Sequence, residues 1–106
     1  MADGMRLDKI DGQYSLSFDC STTVDDVVVA SGDEPNGHFW ETVAAFIAPG
    51  IIDKLELDSE GSMFAVYGKR RHLRRLQRGL EPLADDPQQL REVLARAQRE
   101  GFTIEG

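Results

Sequence analysis

An α+β domain built on a single antiparallel sheet packed with helices is the fold class this sequence predicts, and three patterns predict it. Residues 13–20 alternate, with Tyr14, Leu16, Phe18 and Cys20 on one side and Gln13, Ser15, Ser17 and Asp19 on the other, as a half-buried strand does. From Asn36 the period changes to that of a helix: Trp40, Val43, Ala44 and Ile47 follow i, i+3, i+4, i+7, and Phe39 and Phe46 widen the apolar stripe. Residues 63–67 are apolar on both faces, Met63, Ala65 and Tyr67 on one and Phe64 and Val66 on the other, which suits a central strand.

The remaining elements follow in chain order. Residues 1–11 alternate charge with short apolar side chains and are expected to be a disordered lead-in. Within residues 21–32, Val27, Val28 and Val29 favour an extended segment, whereas Thr23 behind the pair Asp25 and Asp26 offers a cap for a short helix; the type of this segment stays open. Asn36 is placed to cap the first long helix, and Pro49 with Gly50 ends it. Leu55 and Leu57 alternate with Lys54 and Glu56 as the first arm of a hairpin, residues 58–61 turn it, and residues 63–67 return. Leu73, Leu76 and Leu80 give a second helix over residues 69–80, ended or kinked by Pro82. Asp86 and Pro87 start a third, whose buried stripe is Leu90, Val93, Leu94 and Ala97 and whose stop is Gly101. Residues 102–104 are expected to form a short last strand. The resulting β-α-β-β-α-α-β order resembles a ferredoxin-like split βαβ arrangement, in which the first and third strands are central.

With 106 residues and no repeat, linker or low-complexity stretch, the chain is expected to be one domain over residues 1–106. The start lacks the apolar region of a secretory signal and no stretch approaches the roughly 20 apolar residues of a membrane span, so a cytoplasmic location is expected. The net charge of −7 argues against general affinity for nucleic acid or anionic lipid. That charge is unevenly distributed. Residues 1–66 carry thirteen acids against three bases, and residues 67–106 carry nine bases against six acids. The first part is suited to attract a basic partner.

Motifs for chemistry are missing. His38 and His72 stand in no zinc-binding spacing, and the only cysteine, Cys20, reads as a small buried hydrophobe on a strand. Neither a GxSxG elbow nor a phosphate-binding glycine loop occurs, so no catalytic residue, metal or cofactor is assigned. The basic run from Lys69 to Arg78 lacks stacking aromatics and reads as a solvated helix face balanced by the acidic part, with His72 an exposed member of it.

Two blocks are distinctive together: Glu34-Pro35-Asn36-Gly37-His38-Phe39-Trp40-Glu41, and about twenty residues later Asp58-Ser59-Glu60-Gly61-Ser62-Met63-Phe64-Ala65-Val66-Tyr67-Gly68. This ordered pair resembles the immunity protein 51 family of bacterial polymorphic toxin systems, over most of the chain from about Val24. His38 stands where that pattern has an aromatic residue. The resemblance implies a protein that binds and neutralises a cognate toxin, commonly a nuclease with a basic surface, without chemistry of its own. The motif residues Phe39, Trp40, Met63 and Phe64 are expected to serve the fold. Asp25, Asp26, Asp33, Glu34 and Glu41 are the expected partner contacts. A different class of function is also open: a small regulatory or ligand-binding domain that homodimerises through its sheet.

Overall fold

Leu16 faces Val66 and Phe18 faces Phe64 across two neighbouring strands, and all four side chains are buried, so the apolar alternation has become one wall of the core. The computed structural model describes residues 5–105. Its elements run β1 (Arg6–Ile10), β2 (Gln13–Asp19), α1 (Asp25–Ala30), α2 (Gly37–Ile47), α3 (Pro49–Ile52), β3 (Glu56–Leu57), β4 (Met63–Gly68), α4 (Arg70–Asp85) and α5 (Pro87–Arg99). The four strands form one sheet in the order β1-β2-β4-β3, each antiparallel to its neighbour. The α+β class and the single antiparallel sheet are as expected, and β2 and β4 are its central strands.

The expected order of elements is corrected. Arg6–Ile10, expected to be a disordered lead-in, is a strand, and a two-residue turn joins it to β2. Asp11 at φ 50° and Gly12 at φ 83° make that turn, the left-handed pair that matches strand twist in tight hairpins. β1 thereby takes the edge position beside β2, and residues 102–104, expected to be a short last strand, form no strand. Instead Phe102 packs on Phe46 with ring centroids 5.1 Å apart, and Ile104 lies against the core.

The segment left open is a helix. In α1, Val27 and Val28 are buried and Val29 points outward, a one-sided pattern that a helical turn accommodates. Val24, not Thr23, stands at its N-cap, and Thr23 instead donates its hydroxyl hydrogen bond to the Ala84 carbonyl at 3.1 Å. That contact helps explain a second difference: α4 runs through Pro82 to Asp85, because burial of Leu83 and Ala84 holds the last turn against the core. A further short helix, α3, starts directly at Pro49, which fits the first helical position. Asn36 caps α2 through a 2.9 Å bond from Phe39 N–H, and Asp86 caps α5 through a 2.9 Å bond from Gln88 N–H, both as expected.

The helices cover one face of the sheet. Phe39 and Trp40 of α2 pack edge-on at 5.4 Å, Trp40 meets Phe18 at 5.5 Å, and Leu73, Leu76 and Leu80 of α4 close the core beside them. Each such large apolar side chain contributes roughly 1.5–3 kcal/mol by leaving water. The other face carries Ser17, Ala65, Tyr67 and Met63, and Met63 is 43% exposed.

Candidate functional site: an acidic end of the sheet

The two sequence blocks meet in space at one end of β2 and β4. Gly37 N–H donates to the Gly61 carbonyl at 2.8 Å, and Cys20 N–H donates to the Ser62 carbonyl at 2.7 Å, so the start of α2, the end of β2 and the 58–62 turn are tied together. A Cβ on Gly37 would lie 2.5 Å from the Ser59 Cβ and 2.6 Å from the Met63 carbonyl oxygen. Only glycine lets the helix start approach the strand so closely. Met63 and Glu60 exchange backbone bonds of 2.8 and 2.9 Å around Gly61, which has φ 50°. Phe39, Trp40 and Phe64 are buried in the core, whereas Met63 is exposed on the open face.

Carboxylates crowd this end, and the backbone holds several of them in place. Asp19 Oδ1 accepts from Ser21 N–H at 2.9 Å. Asp25 accepts from Thr22 N–H at 2.9 Å and from the Ser21 hydroxyl at 3.3 Å. Glu41 reaches from α2 to the turn, where it accepts from Ser59 N–H at 3.4 Å, and its other oxygen lies 4.0 Å from His38 Nδ1. Glu34 is exposed two residues before the α2 cap, and Asp58 and Glu60 are exposed in the turn. Bonds from neutral amides orient a carboxylate and leave its charge intact.

Of the five expected contacts, Asp25, Glu34 and Glu41 therefore gather here. Asp26 and Asp33 line an adjoining groove of about 920 Å³ between α1, the end of α5 and the C-terminal segment, with Val27, Leu94 and Phe102 as its apolar walls and Arg91 as its base. Asp33 also accepts from the Ser31 hydroxyl at 3.2 Å. Sequence reasoning passed over Asp19, Asp58 and Glu60; the signal for them was present, since the strand end and the hairpin turn that carry them were both recognised.

The two other chemistry-bearing groups lie elsewhere in character. Cys20 is fully buried, and burial above all pushes its thiol up to about 12, so it stays protonated at neutral pH. His72 is corrected from an exposed to a half-buried residue. Its Nδ1 is buried without a partner and its Nε2 lies 3.4 Å from Arg71 Nε. Burial first, and then the charges of Arg71, Lys54, Lys69 and Arg75, hold its pKa below the usual histidine value. The basic face is solvated as expected, with Arg70, Arg71, Arg74, Arg75 and Arg78 exposed, and within 4.0 Å no carboxylate among the described residues pairs with them, Lys54 or Lys69.

Fold and site together define a small α+β protein whose sheet carries unlike charges at its two ends. Among the described residues, no helix is long and apolar enough to cross a membrane, and no group of three or more histidine, cysteine or carboxylate side chains is placed to hold a metal. Compared with protein-family models, curated proteins and solved structures, the chain matches none. The resemblance to the immunity protein 51 family accordingly rests on the two sequence blocks alone.

Proposed function

We propose that this protein acts by binding a basic protein partner at the acidic end of its sheet, in the manner of an immunity protein that holds a toxin inactive. One observation carries the reading: Asp19, Asp25 and Glu41 are fixed by backbone amides at the junction of both sequence blocks, beside the exposed Glu34, Asp58 and Glu60. A charged surface fixed in advance loses little freedom on binding, and its field raises the encounter rate with a cation-rich partner. Neutralisation of this kind covers the partner's working surface and needs no catalytic group. The exposed apolar rim supplied by Val29 and Phe102 beside the groove adds contact area.

The test is to look for a toxin domain encoded in a neighbouring reading frame and to co-express it with this protein. Native protein is expected to restore growth, and Asp26→Lys/Glu34→Lys protein, folded to the same degree, is expected to restore it poorly. Full protection by the charge-reversed protein would remove this surface from the interface.

The open face of the sheet, with Met63 exposed and Tyr67 half-buried, favours a second reading as a domain that homodimerises through its sheet. Light scattering decides it: a stable dimer that Met63→Lys dissociates supports this reading, and a monomer at high concentration refutes it.

A further inference from the structure

At the opposite end of the sheet the cations converge on a concavity. The β1–β2 turn, the connection into β3 and the junction of β4 with α4 enclose a cleft of about 500 Å³, lined by Gly12, Tyr14, Lys54, Tyr67, Lys69 and Arg70. A single carboxylate, Glu56, also borders it. Lys9 adds charge from one side, its Nζ 5.9 Å from the centre of the Tyr14 ring. None of these four cations has an ion-pair partner within 4.0 Å among the described residues, although the chain carries an excess of seven acids. Unlike charges on one surface ordinarily pair; here the cations remain without carboxylate partners around a hollow.

We propose that this cleft is a binding site for a phosphate-bearing small anion, with Lys54, Lys69 and Arg70 as its charge-bearing contacts. Three observations support the assignment. The volume exceeds what one phosphate fills and lies within the range of small-molecule sites, which matches a di- or polyphosphate or a phosphorylated metabolite. Arg70 supplies a planar guanidinium that can grip two phosphate oxygens, and the lysines supply point charges. Lys69, at the α4 N-cap, contributes no side-chain acceptor to the first helical turn, and that turn contains no acid to compete with a ligand. His72 follows Arg70 by two residues on α4, and its pKa is lowered first by burial and then by the charges of Arg71, Lys54, Lys69 and Arg75. The site is separate from the acidic end and does not depend on the function proposed there.

Titration of the ¹⁵N-labelled full chain with inorganic pyrophosphate, at constant ionic strength, tests the proposal. Saturable amide shifts centred on Lys54, Gly68, Lys69 and Arg70 are expected. Lys54→Glu/Lys69→Glu should weaken binding at least ~10-fold, while Arg74→Glu/Arg78→Glu, an equal charge change further along α4, should alter it less than about 2-fold. If the double substitution at the cleft unfolds the chain, Lys54→Gln/Lys69→Gln serves in its place, with the same loss expected. Non-saturating shifts, shifts centred on Arg74 and Arg78, or equal weakening by both charge reversals would overturn the site, since each describes general attraction to a basic helix.

Discussion

The two ends of the sheet lie roughly 20 Å apart along the seven residues of β2 and use charge in different ways. At the acidic end the charged groups are short side chains, several bonded to backbone amides that also hold the local turns. At the basic end they are long side chains without carboxylate partners among the described residues, set around a cleft and along the exposed side of α4. Acids here are therefore part of the architecture as well as of the surface, whereas the cations contribute little that the fold requires. Changes at the two ends should separate accordingly, with fold and partner binding coupled at one end and largely independent at the other.

Glycine substitution should expose that asymmetry most strongly. Gly37→Ala forces a Cβ into the Met63 carbonyl and the Ser59 Cβ, and the expected loss is about 1–3 kcal/mol in urea unfolding. Gly68→Ala, at the basic end, crowds the end of the Leu55 side chain and meets backbone only at an ordinary 3.6 Å from the Lys54 carbonyl oxygen, and should cost less than half as much. Equal losses would erase the distinction between a tightly tied end and a tolerant one. Next in size, Asn36→Ala removes the acceptor for Phe39 N–H and should cost about 1 kcal/mol, read from the same unfolding curves.

A pH experiment sharpens the basic end. Because the folded chain holds His72 below its ordinary pKa of 6.5, the unfolded chain takes up a proton that the folded chain refuses. This contribution to stability is present above pH 6.5 and is lost as the pH falls below it. His72→Gln should flatten the fall in stability as the pH drops below 6.5 relative to the native chain; an unchanged slope would mean that the ring titrates normally. The smallest effect is expected for Glu34→Lys, an exposed side chain, which should shift stability by less than about 0.5 kcal/mol while still weakening partner binding.

Much of this fold was legible because its core follows simple periods. Leu16 and Phe18, the α2 stripe and the α4 leucines all face inward as their spacing requires, and Asn36 and Asp86 cap as their residue types suggest. The edge strand β1 was missed since Arg6, Asp8 and Lys9 interrupt its apolar pattern. Yet Asp11-Gly12 before an alternating strand is a strong hairpin signal, and Arg6 and Asp8 share one face, where they pair at 3.8 Å. Pro82 misled for the opposite reason: local geometry disfavours it in a helix, and tertiary burial of Leu83 and Ala84 prevails. In the site, residue type identified three of the six acids at this end, Asp25, Glu34 and Glu41, and their gathering there depends on β2 and β4 being neighbours. That the α4 arginines find no carboxylate partner among the described residues was beyond reach, because ion pairing between distant segments is set by the completed fold.

The most direct test measures affinity for the proposed partner, a toxin domain with a basic surface, as a function of salt. The native chain should bind with a steep loss of affinity as ionic strength rises, and Asp26→Lys/Glu34→Lys should both weaken binding and flatten that dependence, while Lys54→Glu/Lys69→Glu leaves it intact. Binding that ignores salt, or that depends on the lysines and not on the carboxylates, would contradict it.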